Sequence, residues 1–186
     1  MMMYRIALWL CLVAGLATAA PQDYRLNTAR STVGFTYGFG EVENEGRMPV
    51  KSAVMRIDLG NISASQIDVS LDASRARAGF FFATQAMKGP EVLDTAHFPT
   101  IRFTSTRITG NLRKARIVGN LTVRGITRPV TLSAALYRQR GTAPDDLDNL
   151  TVLLTGTISR SAFGADGFSA YVGDLIGLRI IARIEK

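Results

Sequence analysis

The sequence predicts an all-β protein whose strands close into an antiparallel barrel of about eight strands, and three observations support this. Apolar and polar residues alternate along most of the chain from Tyr24 onward, as they do when successive side chains of a strand point to opposite faces of a sheet. Turn sequences such as Leu59-Gly60-Asn61 and Thr109-Gly110-Asn111 separate the alternating segments at the spacing of a meander. Closure into a barrel removes the exposed edges that so many strands would otherwise present.

In each predicted strand, apolar residues are separated by an even number of positions and therefore lie on one face. In chain order these are Ile57 and Leu59; Ile67, Val69 and Leu71; Ile101 and Phe103; Ile117, Leu121 and Val123; Val130, Leu132 and Leu136; Val152, Leu154 and Ile158; and Ile176, Leu178, Ile180 and Ile184. Three small residues, Gly119, Ala134 and Gly156, interrupt these apolar faces. Since an eight-stranded barrel either fills its interior or holds one small ligand, we expect the small residues to leave room for a ligand.

One short helical insertion is predicted around residues 79–94. The helical stretch runs from about Gly79 to Lys88 and ends at Gly89-Pro90, where Gly89 is available for a left-handed cap and Pro90 begins a short turn to Asp94. Three aromatic residues, Phe80 to Phe82, begin it, and they cannot all face one side of a helix. Either they make the helix a plug buried all round, or they line a site for an apolar ligand.

The first 19 residues have the features of a cleavable secretory signal. Arg5 gives the N-terminal region a positive charge, Ile6 to Leu16 is apolar, and Ala17-Thr18-Ala19 has the small residues of a cleavage site. The apolar run is shorter than the roughly 20 residues that a membrane-spanning helix needs. We therefore expect a secreted protein, with a signal peptide at 1–19 and one domain at 20–186.

Composition narrows the class of protein. The chain has 186 residues, 47% of them hydrophobic, and a formal net charge of +7. Its only Cys, Cys11, and its only Trp, Trp9, lie in the predicted signal, so the mature chain has no thiol for a disulfide or a metal. The composition excludes disordered, collagen-like and multi-span membrane proteins, and a domain of this length folds without covalent or metal support.

The sequence lacks the motifs of nucleophilic catalysis. It has one histidine, His97, and no G-x-S-x-G segment. An enzyme acting inside a barrel would need a titratable group there, and the candidates are Glu91, Asp94, His97 and Asp174. We predict no enzyme, no metal site and no cofactor.

Basic residues dominate the middle of the chain, because Thr95 to Pro144 contains nine of them and no acidic residue. They are Arg102, Arg107, Arg113, Lys114, Arg116, Arg124, Arg128, Arg138 and Arg140. Either they recognise an anionic partner, such as a pyrophosphate head group or an anionic membrane surface, or they are the polar outer face of a sheet. Nucleic acid is disfavoured, since no motif for binding it is present.

Several motifs resemble those of the YceI-like family of secreted bacterial proteins. They are Phe98-Pro99-Thr100-Ile101-Arg102-Phe103-Thr104-Ser105-Thr106, the block from Val118 to Val130 with the pattern G-x-L-T-V-x-G-I-T-x-P-V, Ile158 to Gly164, and Val172-Gly173-Asp174. The resemblance covers Tyr24 to Glu185. It implies an extended, lipocalin-like eight-stranded antiparallel barrel that holds an isoprenoid lipid, such as an isoprenoid quinone or a polyprenyl pyrophosphate, in its apolar interior.

On this resemblance we expect a set of mainly apolar side chains to contact the ligand: Phe35, Tyr37, Phe80, Phe81, Phe82, Met87, Ile101, Phe103, Leu121, Val123 and Phe163. The chain departs from the family pattern at three histidine positions, which hold Arg30, Tyr37 and Ala86. Head-group contacts that other members draw from those histidines are not expected here. The sequence does not determine the oligomeric state, and a dimer is compatible with it.

Two other classes share some of these features. An outer-membrane barrel would also carry a signal and alternating strands, but it needs a lipid-facing aromatic girdle, and the mature chain has no Trp and ends in Ile184-Glu185-Lys186. An enzyme acting on an apolar isoprenoid-type substrate in the same cavity is the second alternative. We favour a periplasmic carrier of an isoprenoid lipid.

Overall fold

A computed structural model describes residues 21–139, 141–143 and 145–186. The predicted signal peptide, Ala20 and two basic-segment residues, Arg140 and Pro144, lie outside the described residues. The strands are β1 (Gln22–Leu26), β2 (Thr32–Phe39), β3 (Val42–Arg47), β4 (Val50–Ile57), β5 (Gln66–Asp72), β6 (Thr100–Asn111), β7 (Lys114–Val123), β8 (Ile126–Arg138), β9 (Asn149–Ser159) and β10 (Val172–Glu185). One helix, α1 (Phe81–Lys88), and short 3-10 helices at Ile62–Ala64, Ala73–Arg75 and Ser161–Phe163 complete the elements of these residues.

Eight of the strands close into an antiparallel barrel, which confirms the predicted fold. Neighbouring strands run in the order β1-β4-β5-β6-β7-β8-β9-β10, and β10 pairs again with β1. The long β10 strand pairs with β1 through Leu26 and Ile184 near its end and with β2 through Val33 and Ile180 before that. The β2–β3 hairpin therefore extends the barrel wall past the end of β1.

The antiparallel connections give the barrel two different ends. The β4–β5 connection, the β6–β7 turn and the β8–β9 loop meet at one end, which we call the closed end. Buried residues fill it in two clusters, one around Leu150 and Ile184 and the other around Ile108 and Ile117. The opposite end, which we call the open end, carries the β2–β3 turn, the β5–β6 crossover with α1, and the β9–β10 loop.

The helix is confirmed, and it begins two residues later than predicted. Gly79 takes a positive φ of 77° and Phe80 is extended, so the helix begins at Phe81. The expected left-handed cap at Gly89 is wrong, since Gly89 has φ −66° and ψ 169°. Its N–H still bonds to the carbonyls of Gln85 and Ala86, and the chain then turns through residues 90–93.

Candidate functional site

A cavity of about 600 Å³ runs through the barrel interior and reaches the open end. The inward side chains of β1, β2 and β4 to β10 form its walls, and almost all of them are apolar. Ile57 and Ile184 line it toward the closed end, while Leu150, Ile108 and Ile117 belong to the buried clusters there and do not line it. A volume of this size lies in the range of sites that enclose one small organic ligand.

The helix α1 covers one side of the open end. Phe82, Ala83, Ala86 and Met87 line the cavity, and this spacing of one, four and five residues defines a single face of the helix. Phe82 is nevertheless 78% exposed, so its ring lies where the cavity meets solvent. The helix is a lid with an aromatic edge.

The β9–β10 loop covers the other side. Ala165, Gly167, Phe168 and Tyr171 line the cavity, and Phe168 and Tyr171 are exposed as well. The two lids touch, since the Gly167 N–H donates to the carbonyl of Glu91 at 2.9 Å. Large exposed aromatic residues thus border the opening on both sides.

The small residues on the apolar faces do not leave room for a ligand, which corrects the sequence-based expectation. A Cβ atom at Gly119 would overlap the Phe103 ring, and one at Gly156 would lie 2.7 Å from a methyl group of Leu132. Ala134 is buried in a cluster at the closed end. Each small residue accommodates a neighbouring side chain, and the free volume lies elsewhere.

Three polar side chains, Ser31, Tyr37 and Arg160, line the cavity, and they bond mainly to backbone carbonyls. The buried Tyr37 hydroxyl donates to the carbonyl of Ala78 at 2.8 Å, and burial raises the pKa of this phenol. Arg160, only 7% exposed, donates to the carbonyls of Ala165, Gly167, Val172 and Gly173. The Ser31 hydroxyl donates to the carbonyl of Asn27 at 2.7 Å. Since most of these donors are bonded within the protein, the interior suits an apolar chain and leaves polar groups of a ligand to the open end.

None of the four titratable groups considered for catalysis lines the cavity. Asp94 pairs with the Nδ1 atom of His97 at 2.9 Å, and the His97 side chain is 78% exposed. The Asp174 carboxylate accepts from the Ser161 N–H at 2.9 Å, and hydrogen bonds from Ser159 and Ser161 lower its pKa. Within the described ranges no three His, Cys, Asp or Glu side chains lie close enough together to hold a metal ion.

A family model for the YceI-like domain matches residues 24–184. The chain belongs to this family. Among curated relatives, the protein YceI of Salmonella arizonae is 34% identical over 82 residues, which cover 44% of this chain and 43% of the relative. The match therefore spans less than half of that protein.

Solved structures share the fold of this YceI-like chain. BcnA of Burkholderia cenocepacia superposes with a TM-score of 0.74 at 20% identity, over 85% of this chain and 98% of that one. A domain from Saccharophagus degradans, described as polyisoprenoid binding and implicated in plant cell wall breakdown, superposes with a TM-score of 0.62 at 11% identity, over 87% and 97%. At these identities the likeness concerns the fold.

Ten of the eleven side chains expected to contact a ligand line the cavity of this YceI-like barrel: Phe35, Tyr37, Phe80, Phe82, Met87, Ile101, Phe103, Leu121, Val123 and Phe163. The exception is Phe81, which is 68% exposed and does not line the cavity. It lies beside Phe82 on the outer side of α1, with the ring centroids 5.5 Å apart. Ligand contact by these residues stays a prediction.

Sequence reasoning missed the most unusual residue of the cavity wall, Arg160. It lies within the family motif from Ile158 to Gly164, but an arginine between Ser159 and Ser161 gives no sign in the sequence that it is buried.

The three residues that replace the family histidines lie in different places. Tyr37 and Ala86 line the cavity, whereas Arg30 is exposed and lies 4.0 Å from Glu185.

Part of the basic segment forms an outer face of the YceI-like barrel, whereas the half-buried Arg124 bonds to the Val92 carbonyl at the open end. Arg107 and Arg116 are exposed, on outward positions of adjacent strands, and Arg113 and Lys114 follow at the β6–β7 turn. This face lies toward the closed end. In the part of the chain that the structure describes, no helix is long and apolar enough to cross a membrane.

Proposed function

We propose that this protein is a non-enzymatic periplasmic carrier that holds an isoprenoid lipid in its barrel. The observation that carries the proposal is the internal cavity of about 600 Å³ with almost wholly apolar walls. The fold shared with a domain described as polyisoprenoid binding supports the same ligand class. An isoprenoid quinone and a polyprenyl pyrophosphate are the two candidates.

Burial of an apolar chain supplies enough free energy for binding. About 500 Å² of ligand surface removed from water corresponds to about 12 kcal/mol at roughly 25 cal/mol per Å², before the costs of association and ordering. No ion pair inside the barrel is needed. The head group lies at the open end, where Phe82, Phe168 and Tyr171 meet solvent.

The competing function is an enzyme that acts on an isoprenoid-type substrate in the same cavity. Catalysis by proton transfer needs a titratable group within hydrogen-bond reach of the substrate. Glu91, Asp94, His97 and Asp174 lie outside the cavity lining, which favours the carrier. Alanine substitution of all four should leave ligand binding and physiological activity intact, and loss of activity with binding retained would favour the enzyme.

The proposed location and membrane contact follow from separate features. The predicted signal peptide directs the chain to the periplasm. The exposed basic face with Arg107, Arg113 and Arg116 then makes transient contact with anionic membrane lipids, because the outer faces of β6 to β9 carry no carboxylate. Binding to vesicles rich in phosphatidylglycerol, weakened by salt and by substitution of these arginines with glutamine, tests the contact.

The first experiment is mass spectrometry of an organic extract of the protein purified from the periplasm of a bacterial host. An unrelated secreted protein purified in parallel gives the background. We expect one stoichiometric quinone or polyprenyl species. An extract without any enriched lipid, from protein that is folded and full length, would overturn the proposal.

Matched variants localise the ligand. Leu121→Asp introduces a charge into the cavity wall and should abolish lipid recovery, whereas Asn120→Asp, one residue away on the outer face, should not. Since Leu121→Asp can also disrupt folding, a second test uses an uncharged substitution: Ala86→Trp fills part of the cavity from α1. Its control is Gln85→Trp on the exposed side of the same helix. Equal lipid recovery from both members of each pair would contradict the cavity site.

A further inference from the structure

The β9–β10 loop, residues 160–171, forms one lid of the cavity although it has little regular structure. Apart from the 3-10 turn at Ser161–Phe163, it forms no helix or strand. Gly164 and Phe168 take left-handed backbone conformations, with φ of 66° and 59°. A loop of this kind needs specific contacts to keep one conformation.

Phe163 anchors the first part of the loop in a buried apolar cluster, and Arg160, at the end of β9, supplies four hydrogen bonds to the rest of it. Its Nε atom donates to the carbonyl of Gly173 at 2.9 Å, and Nη2 donates to the carbonyl of Val172 at 2.8 Å. Its Nη1 atom donates to the carbonyls of Gly167, at 2.8 Å, and Ala165. The guanidinium thus joins the middle of the loop to its return into β10.

Only an arginine can make this set of bonds. Four carbonyl oxygens converge on one point, and carbonyl dipoles repel each other unless a cation lies between them. A guanidinium presents five donors in a planar fork, whereas the ammonium of a lysine has three donors on one nitrogen. The carbonyl oxygens of the loop are therefore placed where the donors of the Arg160 guanidinium can bond to them.

The burial of Arg160 indicates that its role is this loop and not an ion pair. It is only 7% exposed, and among the described residues no carboxylate lies within ion-pair distance of it. The nearby Asp174 carboxylate instead accepts from the Ser161 N–H. Burying a charge is costly unless hydrogen bonds replace its hydration, and here backbone carbonyls do so.

The loop in turn holds the second lid. The Gly167 N–H donates to the Glu91 carbonyl at 2.9 Å, just after α1, and a Cβ atom at Gly167 would lie 2.7 Å from that oxygen. Gly167 is also one of the residues that Arg160 binds. The guanidinium therefore positions the contact between the two lids.

We propose that Arg160 is a positioning residue that keeps the β9–β10 loop closed over the cavity and so sets the rate at which an apolar ligand leaves. This rests on the proposed function of the cavity. Arg160 does so without bonding the ligand itself. Its loss opens the loop while the hydrogen bonds of the barrel strands remain.

The test compares wild type with Arg160→Met and Arg160→Ala, using the apolar fluorescent probe N-phenylnaphthylamine. Stopped-flow dilution should show release at least tenfold faster in both variants. Hydrogen exchange without any probe should show loss of protection confined to residues 163–173. Arg102→Ala is the matched control, because it removes an exposed arginine of β6 that does not line the cavity.

Chemical rescue separates positioning from a general structural role. Millimolar methylguanidinium should restore slow release to Arg160→Ala by occupying the vacated site, and it should not change Arg102→Ala. Wild-type release rates and loop exchange in both Arg160 variants would overturn the proposal, as would loss of protection throughout the barrel. If wild type does not take up the probe, the proposed function fails, and the loop exchange still decides the role of Arg160.

Discussion

The two ends of the barrel are held together by different interactions. At the closed end Leu150 and Ile184 are fully buried, and apolar clusters pack between hydrogen-bonded strands. At the open end another apolar cluster, around Ile101, Val123 and Phe163, packs against Met87 and Leu93, but several aromatic residues at the rim are exposed, with Phe82 at 78% and Tyr171 at 66%. Hydrophobic burial therefore supports both ends, and the exposed aromatic rim distinguishes the open one.

Individual polar bonds add to that cluster at the open end. They include the Tyr37 hydroxyl to Ala78, the Arg124 guanidinium to Val92, and the four bonds of Arg160. A few hydrogen bonds of this kind break locally at lower cost than a packed core, so the segments that they hold can move while the barrel stays folded. A carrier needs this division, because its ligand must enter without global unfolding.

The largest effect on stability is expected from truncating a buried side chain at the closed end. Leu150→Ala removes a fully buried side chain that does not line the ligand cavity, and it should lower the free energy of unfolding by about 2–5 kcal/mol. Probe binding by the folded fraction should be unchanged. Urea denaturation measures the first quantity, with Leu175→Ala, 66% exposed, as the control. Similar losses in both variants would contradict the contrast between the ends.

A second substitution tests the packing of the open end. A Cβ atom at Gly46 on β3 would overlap the Phe35 ring and lie 2.7 Å from the Arg77 carbonyl oxygen. Gly46→Ala should therefore cost about 1–3 kcal/mol of stability and weaken probe binding, because Phe35 lines the cavity. Gly38→Ala on β2 meets nothing within 4 Å and should be close to neutral. An equal response at the two positions would show that Phe35 moves freely.

The sequence predicted the barrel well because alternation follows directly from strand geometry. Ile67, Val69 and Leu71 line the cavity together, as do Leu121 and Val123, since residues of one parity share a face. The β2–β3 hairpin was less clear. Its Gly34, Gly38, Gly40 and Gly46 give a weaker alternation, and its position depends on pairing with the distant β10 strand.

The site was predicted in part. A helix lying against a barrel is expected to place residues such as Phe82 and Met87 at the cavity. Which of the three adjacent rings points away depends on the residue at which α1 begins, and the sequence did not indicate that this ring would be Phe81. The expectation that Gly119 leaves room for a ligand was wrong. The sequence shows that Gly119 has no side chain, but it does not show that the Phe103 ring occupies the space. Arg160 was missed because its partners are backbone carbonyls, which every sequence contains.

The adjacent rings of Phe81 and Phe82 offer a matched test of the cavity edge. Both are exposed on α1, so alanine at either should change stability by no more than about 0.5 kcal/mol. Only Phe82 lines the cavity, and its loss should weaken probe binding by about 1 kcal/mol, roughly fivefold in Kd. Fluorescence titration of the two variants measures the difference. A larger loss from Phe81→Ala would reverse the assignment of the two rings.

The smallest effect is expected from an ion pair on the barrel wall between the two ends. The Arg102 guanidinium, 2.7 Å from Asp68, holds the pKa of that carboxyl below its ordinary value of 3.8, with help from the Thr104 hydroxyl. A pKa that is lower in the folded state contributes stability above the unfolded pKa, and the contribution is lost as the pH falls through the folded value. Asp68→Asn should thus be slightly less stable than wild type at pH 7, and the difference should shrink as the pH falls below the ordinary pKa of 3.8.

Asp174 at the open end provides the comparison for that titration. Its pKa is also lowered, by hydrogen bonds from Ser159 and Ser161, and the sign is the same, so its contribution too is present above pH 4 and lost in acid. Asp174→Asn should therefore also lower the free energy of unfolding slightly at pH 7, and it should speed hydrogen exchange only in the β9–β10 loop. Asp68→Asn should leave exchange in that loop unchanged, because its bonds join β5 to β6 within the barrel. If Asp174→Asn sped exchange throughout the barrel, the open end would unfold together with the barrel, and ligand exchange would have to follow another route.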